Sequence, residues 1–308
     1  MVVLAGCYSK LNGPGVLLDG GDGDGDTTLR DGAAGGGSAL AFSCPAGTAT
    51  IVPGLNTLEL AGGMRSFYAD FPPATTIRLG VLFSWHGYNQ VTATFRTEVA
   101  LDPQAAPELP MIVITPVDTG LQPPQGLDWD IINGTPQTNR DLALFEAIVG
   151  CLNDQVALDP GAVFSFGFSA GAVMTNLVHA RYPALVHAIV TESGAWFDDP
   201  AEVALVNYVH IAWKWPALVH TDGGEVLMTH GGPNDITVLN LLDIEKAAQA
   251  AKPFLRTNMR DVLDCTHTGG HALDPDITPV LIGSYLASHR VGGAPADFVA
   301  PTSCSPVP

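Results

Sequence analysis

The chain has 308 residues, 46% of them hydrophobic, which is enough for one large domain with a sizeable core. Thirteen Lys plus Arg stand against 31 Asp plus Glu, a formal charge of −18, so the basic footprint of a protein that binds nucleic acid or anionic membranes is missing. There is no run of about 18 apolar residues, which excludes a membrane-spanning helix within this sequence.

Residues 1–40 read as a segment apart. Leu4-Ala5-Gly6-Cys7 has the form of a bacterial lipobox, in which Cys7 would carry a lipid anchor. Only Met1-Val2-Val3 precede it, shorter than the charged and apolar regions of an export signal, and a chance match among abundant small residues competes with the lipobox reading. Asp19-Gly20-Gly21-Asp22-Gly23-Asp24-Gly25-Asp26 and Ala33-Ala34-Gly35-Gly36-Gly37-Ser38 cannot bury a core and predict a flexible tether. The Asp/Gly alternation lacks the terminal Glu of a calcium loop.

Residues 41–308 read as a single domain in which strand and helix patterns alternate, as a mostly parallel sheet flanked by helices requires. A hairpin is predicted from Asn56–Leu60 across Ala61-Gly62-Gly63 to Arg65–Ala69. Strands follow at Ile77–Trp85 and Pro110–Pro116, a helix at Asp141–Leu152 and a buried strand at Ala162–Phe166. Next come a helix at Ala170–Arg181 and strands at His187–Ser193, Glu225–Gly231 and Met259–Cys265. Helices around Leu239–Ala251 and Val280–His289 complete the pattern. Between them, residues 200–220 are too aromatic for a plain linker, with Tyr208, Trp213 and Trp215, and predict a small cap over a site.

Chemistry enters at Gly167-Phe168-Ser169-Ala170-Gly171. A bare G-x-S-x-G is a weak signal, but this one lies between a buried-strand pattern and a helix pattern. That is the context of a nucleophile elbow, a sharp turn that presents the serine and needs small residues two before and two after it. A nucleophile of this kind needs an acid and then a histidine further along the chain. Asp235 lies on the loop after the Glu225–Gly231 strand, and His271 follows Thr266-His267-Thr268-Gly269-Gly270, where two glycines permit a tight loop. His267 is the weaker candidate base. Asp222, Asp243, Asp261, Asp264, Asp274 and Asp276 compete with Asp235 for the acid, and Asp198 and Asp199 offer another position. A metal site at His230, Asp235, His267 and His271 is disfavoured, because Thr-Gly-Gly is a poor helix segment and cannot be relied on to set two histidines on one face. No cofactor is called for.

An oxyanion hole needs two backbone N–H donors. One is expected at Ala170, the first residue after the nucleophile. The other is expected in the His86-Gly87 turn after the Ile77–Trp85 strand, at Tyr88 with Gly87 as the fallback. Tyr88, Trp129 and Trp196 are aromatic candidates for substrate contact, with core packing as the competing reading for each.

The ordered set His86-Gly87, Trp129, Asn139-Arg140-Asp141-Leu142, Asp159-Pro160, Gly167–Gly171, His230-Gly231…Asp235 and Cys265…Gly269-Gly270-His271 resembles the feruloyl-esterase and polyhydroxybutyrate-depolymerase group of α/β hydrolases, which are similar to family-one carbohydrate esterases. The likeness covers about residues 55–290. It implies an α/β-hydrolase fold and a secreted serine esterase with a Ser169–His271–Asp235 triad. Tyr88-Asn89 stand where such proteins often have further glycines, and Ala272-Leu273 stand where many carry Trp-Pro. Both departures lie beside the site and bear on the substrate more than the reaction.

The expected substrates are feruloyl or other acyl esters of polysaccharides, with polyhydroxyalkanoate or another polyester as the alternative. From a different class, a non-catalytic glycan-binding lipoprotein on the same scaffold is the competing reading. Cys44, Cys151, Cys265 and Cys304 predict two disulfides with three pairings open.

Overall fold

The computed structural model describes residues 42–122, 125–200, 213–217, 224–237, 242–292 and 298–308. The expected lipobox and tether lie outside these residues, as do Asp222 and most of the expected cap.

Among the described residues, nine strands form one sheet in the order β1-β2-β4-β3-β5-β6-β7-β8-β9. They are β1 Gly54–Leu60, β2 Gly63–Asp70, β3 Leu79–Trp85, β4 Met111–Pro116, β5 Leu158–Phe168, β6 Val186–Glu192, β7 Glu225–His230, β8 Asp261–Thr266 and β9 Cys304–Pro306. All pairings from β4 across to β8 are parallel, while β1 and β2 on one side and β9 on the other run antiparallel to their neighbours. The β1–β2 hairpin closes tightly because Gly63 takes φ +104°, a conformation that costs little without a Cβ.

The helices are α1 Thr92–Val99, α2 Arg140–Gln155, α3 Ala170–Arg181, α4 Ile244–Asn258 and α5 Pro279–Ser288. They cover both faces of the sheet, so the central strands are buried on both sides and read as continuous apolar runs. Val81, Phe83 and Trp85 of β3 pack with Leu142 and Ile148 of α2, Val173 of α3 and Ala247 of α4. Leu82 points the other way, with Phe164 and Phe166 of β5, to Phe95 of α1 and Ile282 of α5. α3 shows no polar stripe because it is buried all along its length.

The expected architecture of a mostly parallel sheet flanked by helices is therefore the one observed. The helix expected at 239–251 begins at Ile244, where the Asp243 side chain accepts from the Lys246 amide, and runs on through Pro253 to Asn258. Residues 239–241 of that expectation lie outside the described residues. Among the described residues, α1, whose start has no side-chain cap, and β9, three residues long, went unread in the sequence.

A polar knot fixes the α2 start. Asn139 accepts from the Asp141 and Leu142 amides, and buried Asp141 accepts from Arg65 of β2 at 2.6 Å and from the Asp130 amide at 2.6 Å. Disulfides join Cys44 to Cys151 and Cys265 to Cys304, which resolves the three-way pairing. The second ties β9 to β8 just before the loop that carries His271. Among the described residues, no helix is long and apolar enough to cross a membrane.

Candidate active site

β5 ends at Phe168 and α3 begins at Ala170, so Ser169 alone makes the turn. It does so at φ +54°, ψ −119°, a costly conformation for a residue with a side chain. Two bonds hold it there: the Ser169 amide donates to the Glu192 carbonyl at 2.8 Å, and the Val173 amide donates to the Ser169 carbonyl at 3.0 Å. The two motif glycines follow from sterics. A Cβ on Gly167 would lie 2.1 Å from the Gly171 carbonyl oxygen, and one on Gly171 would lie 2.0 Å from the Trp85 carbonyl oxygen.

The imidazole of His271 lies over this turn. Its Nε2 is 2.8 Å from Ser169 Oγ, and its Nδ1 is 2.7 Å from Asp235 Oδ1. Asp235 is fully buried, and its Oδ2 accepts from the Ser193 hydroxyl at 2.7 Å and the Gly231 amide at 2.8 Å. With donors converging on it, the carboxylate acts as acceptor. The imidazole proton therefore sits on Nδ1, leaving Nε2 to accept the serine proton. The phenyl ring of Phe168 packs on the His271 ring, with centroids 5.2 Å apart.

The structure thus brings together Ser169, Asp235 and His271, the three residues singled out in the sequence, from three separate loops at one end of the sheet. Among the described residues, Asp235 is the acid bonded to His271. Three of the competing groups are engaged elsewhere. Asp264 pairs with His230 and Lys252, Asp243 caps α4, and His267 Nδ1 accepts from the Gly269 amide. His230 lies in the core between Glu245, at 2.6 Å, and Asp264.

The two segments expected to supply the oxyanion donors lie side by side. Gly171 packs against the Trp85 and His86 carbonyls, which sets the start of α3 on the end of β3. A Cβ placed on Gly87 would lie 3.2 Å from Ser169 Cβ, so the His86-Gly87-Tyr88 turn runs beside the nucleophile. The Gly87 amide donates to Gln90 Oε1 at 2.7 Å and is engaged within its own turn. Ala170 opens α3, where first-turn amides lack intrahelical acceptors.

Two of the aromatic candidates are buried, as the competing core-packing reading expects. Trp129 is fully buried, its Nε1 donates to the His86 carbonyl at 2.8 Å, and its ring packs on Trp85 and His86. Trp196 is 2% exposed. Neither ring is open to solvent. They are core residues because each indole is large enough to fill the space behind the loop it sits on. Tyr88 is half-buried, and its hydroxyl donates to Gln122. Of the expected cap, Trp213 stacks on Phe197 at 3.7 Å and Trp215 donates to the Ile131 carbonyl at 2.7 Å.

Ser193, Glu192 and Gln90 were not singled out in the sequence. A Ser-Gly pair at a strand end is the faint signal for Ser193, because Ser193 takes φ +54° and so marks a constrained turn.

No family model and no curated protein matches the chain. Solved structures do. Native pOPH matches with a TM-score of 0.67 at 20% identity, over 86% of this chain and 96% of that one. Native sOPH matches with a TM-score of 0.66 at 22% identity, over 86% and 97%. An S-formylglutathione hydrolase from Agrobacterium tumefaciens matches with a TM-score of 0.52 at 14% identity, over 75% and 90%. Strand order, helix placement and these likenesses agree that the chain has the α/β-hydrolase fold.

Proposed function

We propose that the protein is a serine esterase that hydrolyses carboxylic esters through an acyl-enzyme. The observation that carries this reading is the unbroken relay from Asp235 through His271 to Ser169, with contacts of 2.7 and 2.8 Å on a strained elbow. His271 Nε2 takes the hydroxyl proton as Ser169 Oγ attacks the ester carbonyl. The Ala170 and Tyr88 amides stabilise the oxyanion, and Asp235 holds the imidazolium. His271 then protonates the leaving alcohol. Water, activated by the same base, attacks the acyl-enzyme and releases the acid with Ser169 restored. The reaction needs no cofactor.

Within this class, feruloyl or other acyl esters of polysaccharides are the first substrates to try and a hydroxyalkanoate polyester the second. Stacking on an aromatic acyl group rests on Tyr88, since the two tryptophans are buried. A serine-to-alanine variant of pOPH has been solved with pNPB, which makes p-nitrophenyl butyrate a suitable small probe. Two disulfides and an acidic chain fit an exported protein, with Cys7 as the proposed lipid attachment.

The test is the initial rate on methyl ferulate, p-nitrophenyl butyrate and a hydroxybutyrate oligomer, for the natural chain and Ser169→Ala side by side. Activity that vanishes in the variant is the expected result, and the ranking names the substrate. Residual activity in Ser169→Ala comparable to the natural chain would sink the reading, and silence on every ester would turn it towards the glycan-binding alternative.

A further inference from the structure

Glu192 is the last residue of β6, paired with Phe168 on β5 and Thr229 on β7. Its main-chain carbonyl accepts the Ser169 amide at 2.8 Å, one of the two bonds that hold the strained serine. Its carboxyl is buried, and Oε2 accepts the Asp274 amide at 2.7 Å. Asp274 lies three residues past His271. One residue is therefore bonded through its main chain to the nucleophile and through its side chain to the loop of the base. The next residue, Ser193, is bonded to the acid.

A buried carboxyl is a costly choice for this role, because Asn, Gln or Ser would accept the same bond without a charge to desolvate. The ionisable groups on the elements around it are His267, His271, Asp274 and Asp276 on the histidine loop, His230 at the end of β7 and Asp235 beyond it. Beside Glu192, β5 ends at Phe168 and is followed by Ser169; the ionisable residue of that strand, Asp159, lies near its other end. Among the described residues no Lys or Arg pairs with Glu192, and Asp274 adds a second buried carboxyl beside it.

We propose that Glu192 is the positioning residue that ties the histidine loop to the nucleophile elbow, and that it does so best while its carboxyl is neutral. The inference rests on the triad reading and adds an alkaline limit to it.

Burial pushes the Glu192 carboxyl up to about 8, the bond from the Asp274 amide pulls the other way, and the Asp274 carboxyl adds to the rise. With the loop lifted and water admitted, the same group titrates near its ordinary 4.5. Between those values the closed loop holds a proton that the open loop has released. Each rise of one pH unit therefore favours opening by up to about tenfold, and the effect levels off above about 8.

Amide hydrogen exchange over His271–Ile277, corrected for intrinsic exchange, tests this on the full chain with Glu192→Gln and Glu192→Ala from pH 5 to 9. Gln keeps the acceptor but cannot ionise. In the natural chain, protection of the Asp274 amide should fall by at least about tenfold between pH 5 and 8. In Glu192→Gln it should stay constant, and in Glu192→Ala it should be low throughout. The same pH dependence in Gln as in the natural chain, or full protection in Ala, overturns the proposal. If the Ala variant does not fold by circular dichroism, the Gln comparison still decides.

A parallel profile with p-nitrophenyl butyrate should lose its alkaline limb in Glu192→Gln through kcat and not KM. A limb that persists there counts against the proposal. No hydrolysis by the natural chain would instead sink the esterase reading, while the exchange data would still judge Glu192.

Discussion

The hydroxyl of Ser193 donates to Asp235 Oδ2 at 2.7 Å, from a residue held at φ +54°. The bond fixes the carboxylate so that its other oxygen faces His271 Nδ1. A hydrogen bond to a charged group contributes about 1.5–3 kcal/mol. Ser193→Ala should therefore lower kcat by roughly tenfold or more, with KM little changed, as expected when an interaction supports the transition state. Steady-state kinetics with p-nitrophenyl butyrate checks it, and a change confined to KM would reject it.

Gly171→Ala should be among the most damaging single substitutions in the chain. Its Cβ would sit 2.0 Å from the Trp85 carbonyl oxygen, and both partners are backbone at the junction of α3 and β3. Relief requires moving α3 off the sheet, a loss above roughly 3 kcal/mol. Soluble yield and thermal unfolding measure this, and a melting temperature within a degree of the natural chain would contradict the geometry.

His179 supplies an acid limit to stability. It is almost completely buried on α3, its Nδ1 bonds the Val186 carbonyl at 2.7 Å, and burial lowers its pKa to about 4. The unfolded chain binds a proton near 6.5 that the folded chain refuses. The stabilisation is thus complete above about 6.5 and is lost as pH falls towards 4, by an amount on the order of 3 kcal/mol. Thermal unfolding from pH 7.5 to 4 should show this decline, and His179→Asn should flatten it. An equally steep decline in the variant would assign the effect to other groups.

The Cys265–Cys304 disulfide closes a loop with a sequence separation of 39 and pins β9 beside the start of the histidine loop. On the chain-entropy model such a closure contributes about 4 kcal/mol. Cys304→Ser should lower the melting temperature and, on warming, lose activity before the global transition. Alkylation of the natural chain without reductant should leave Cys44, Cys151, Cys265 and Cys304 unlabelled, and labelling of all four would refute both bridges.

Trp129→Phe discriminates packing from substrate contact. The indole N–H to the His86 carbonyl, at 2.8 Å, is lost while the ring volume is mostly kept. Thermal stability should fall by about 1–3 kcal/mol for the orphaned buried carbonyl, with equal effects on aromatic and aliphatic esters. A selective loss on methyl ferulate would restore the substrate role.

By itself, the sequence determined the features that local pattern encodes. Apolar runs gave the central strands, and Gly167-Phe168-Ser169-Ala170-Gly171 between a strand and a helix gave the elbow, since both glycines are demanded by backbone contacts. The chain order of Ser169, Asp235 and His271 was legible for the same reason: each lies on a loop directly after a strand of a parallel sheet, and such loops collect at one end. What only the tertiary structure decided depends on residues far apart in sequence. The cysteine pairing, the burial of Trp129 and Trp196, the commitment of the Gly87 amide to Gln90, and the bonds from Ser193 and Glu192 are set by which strands and loops become neighbours. Ser193 and Asp235 are 42 positions apart and Glu192 and Asp274 are 82, and no periodicity in the chain carries a contact over that distance.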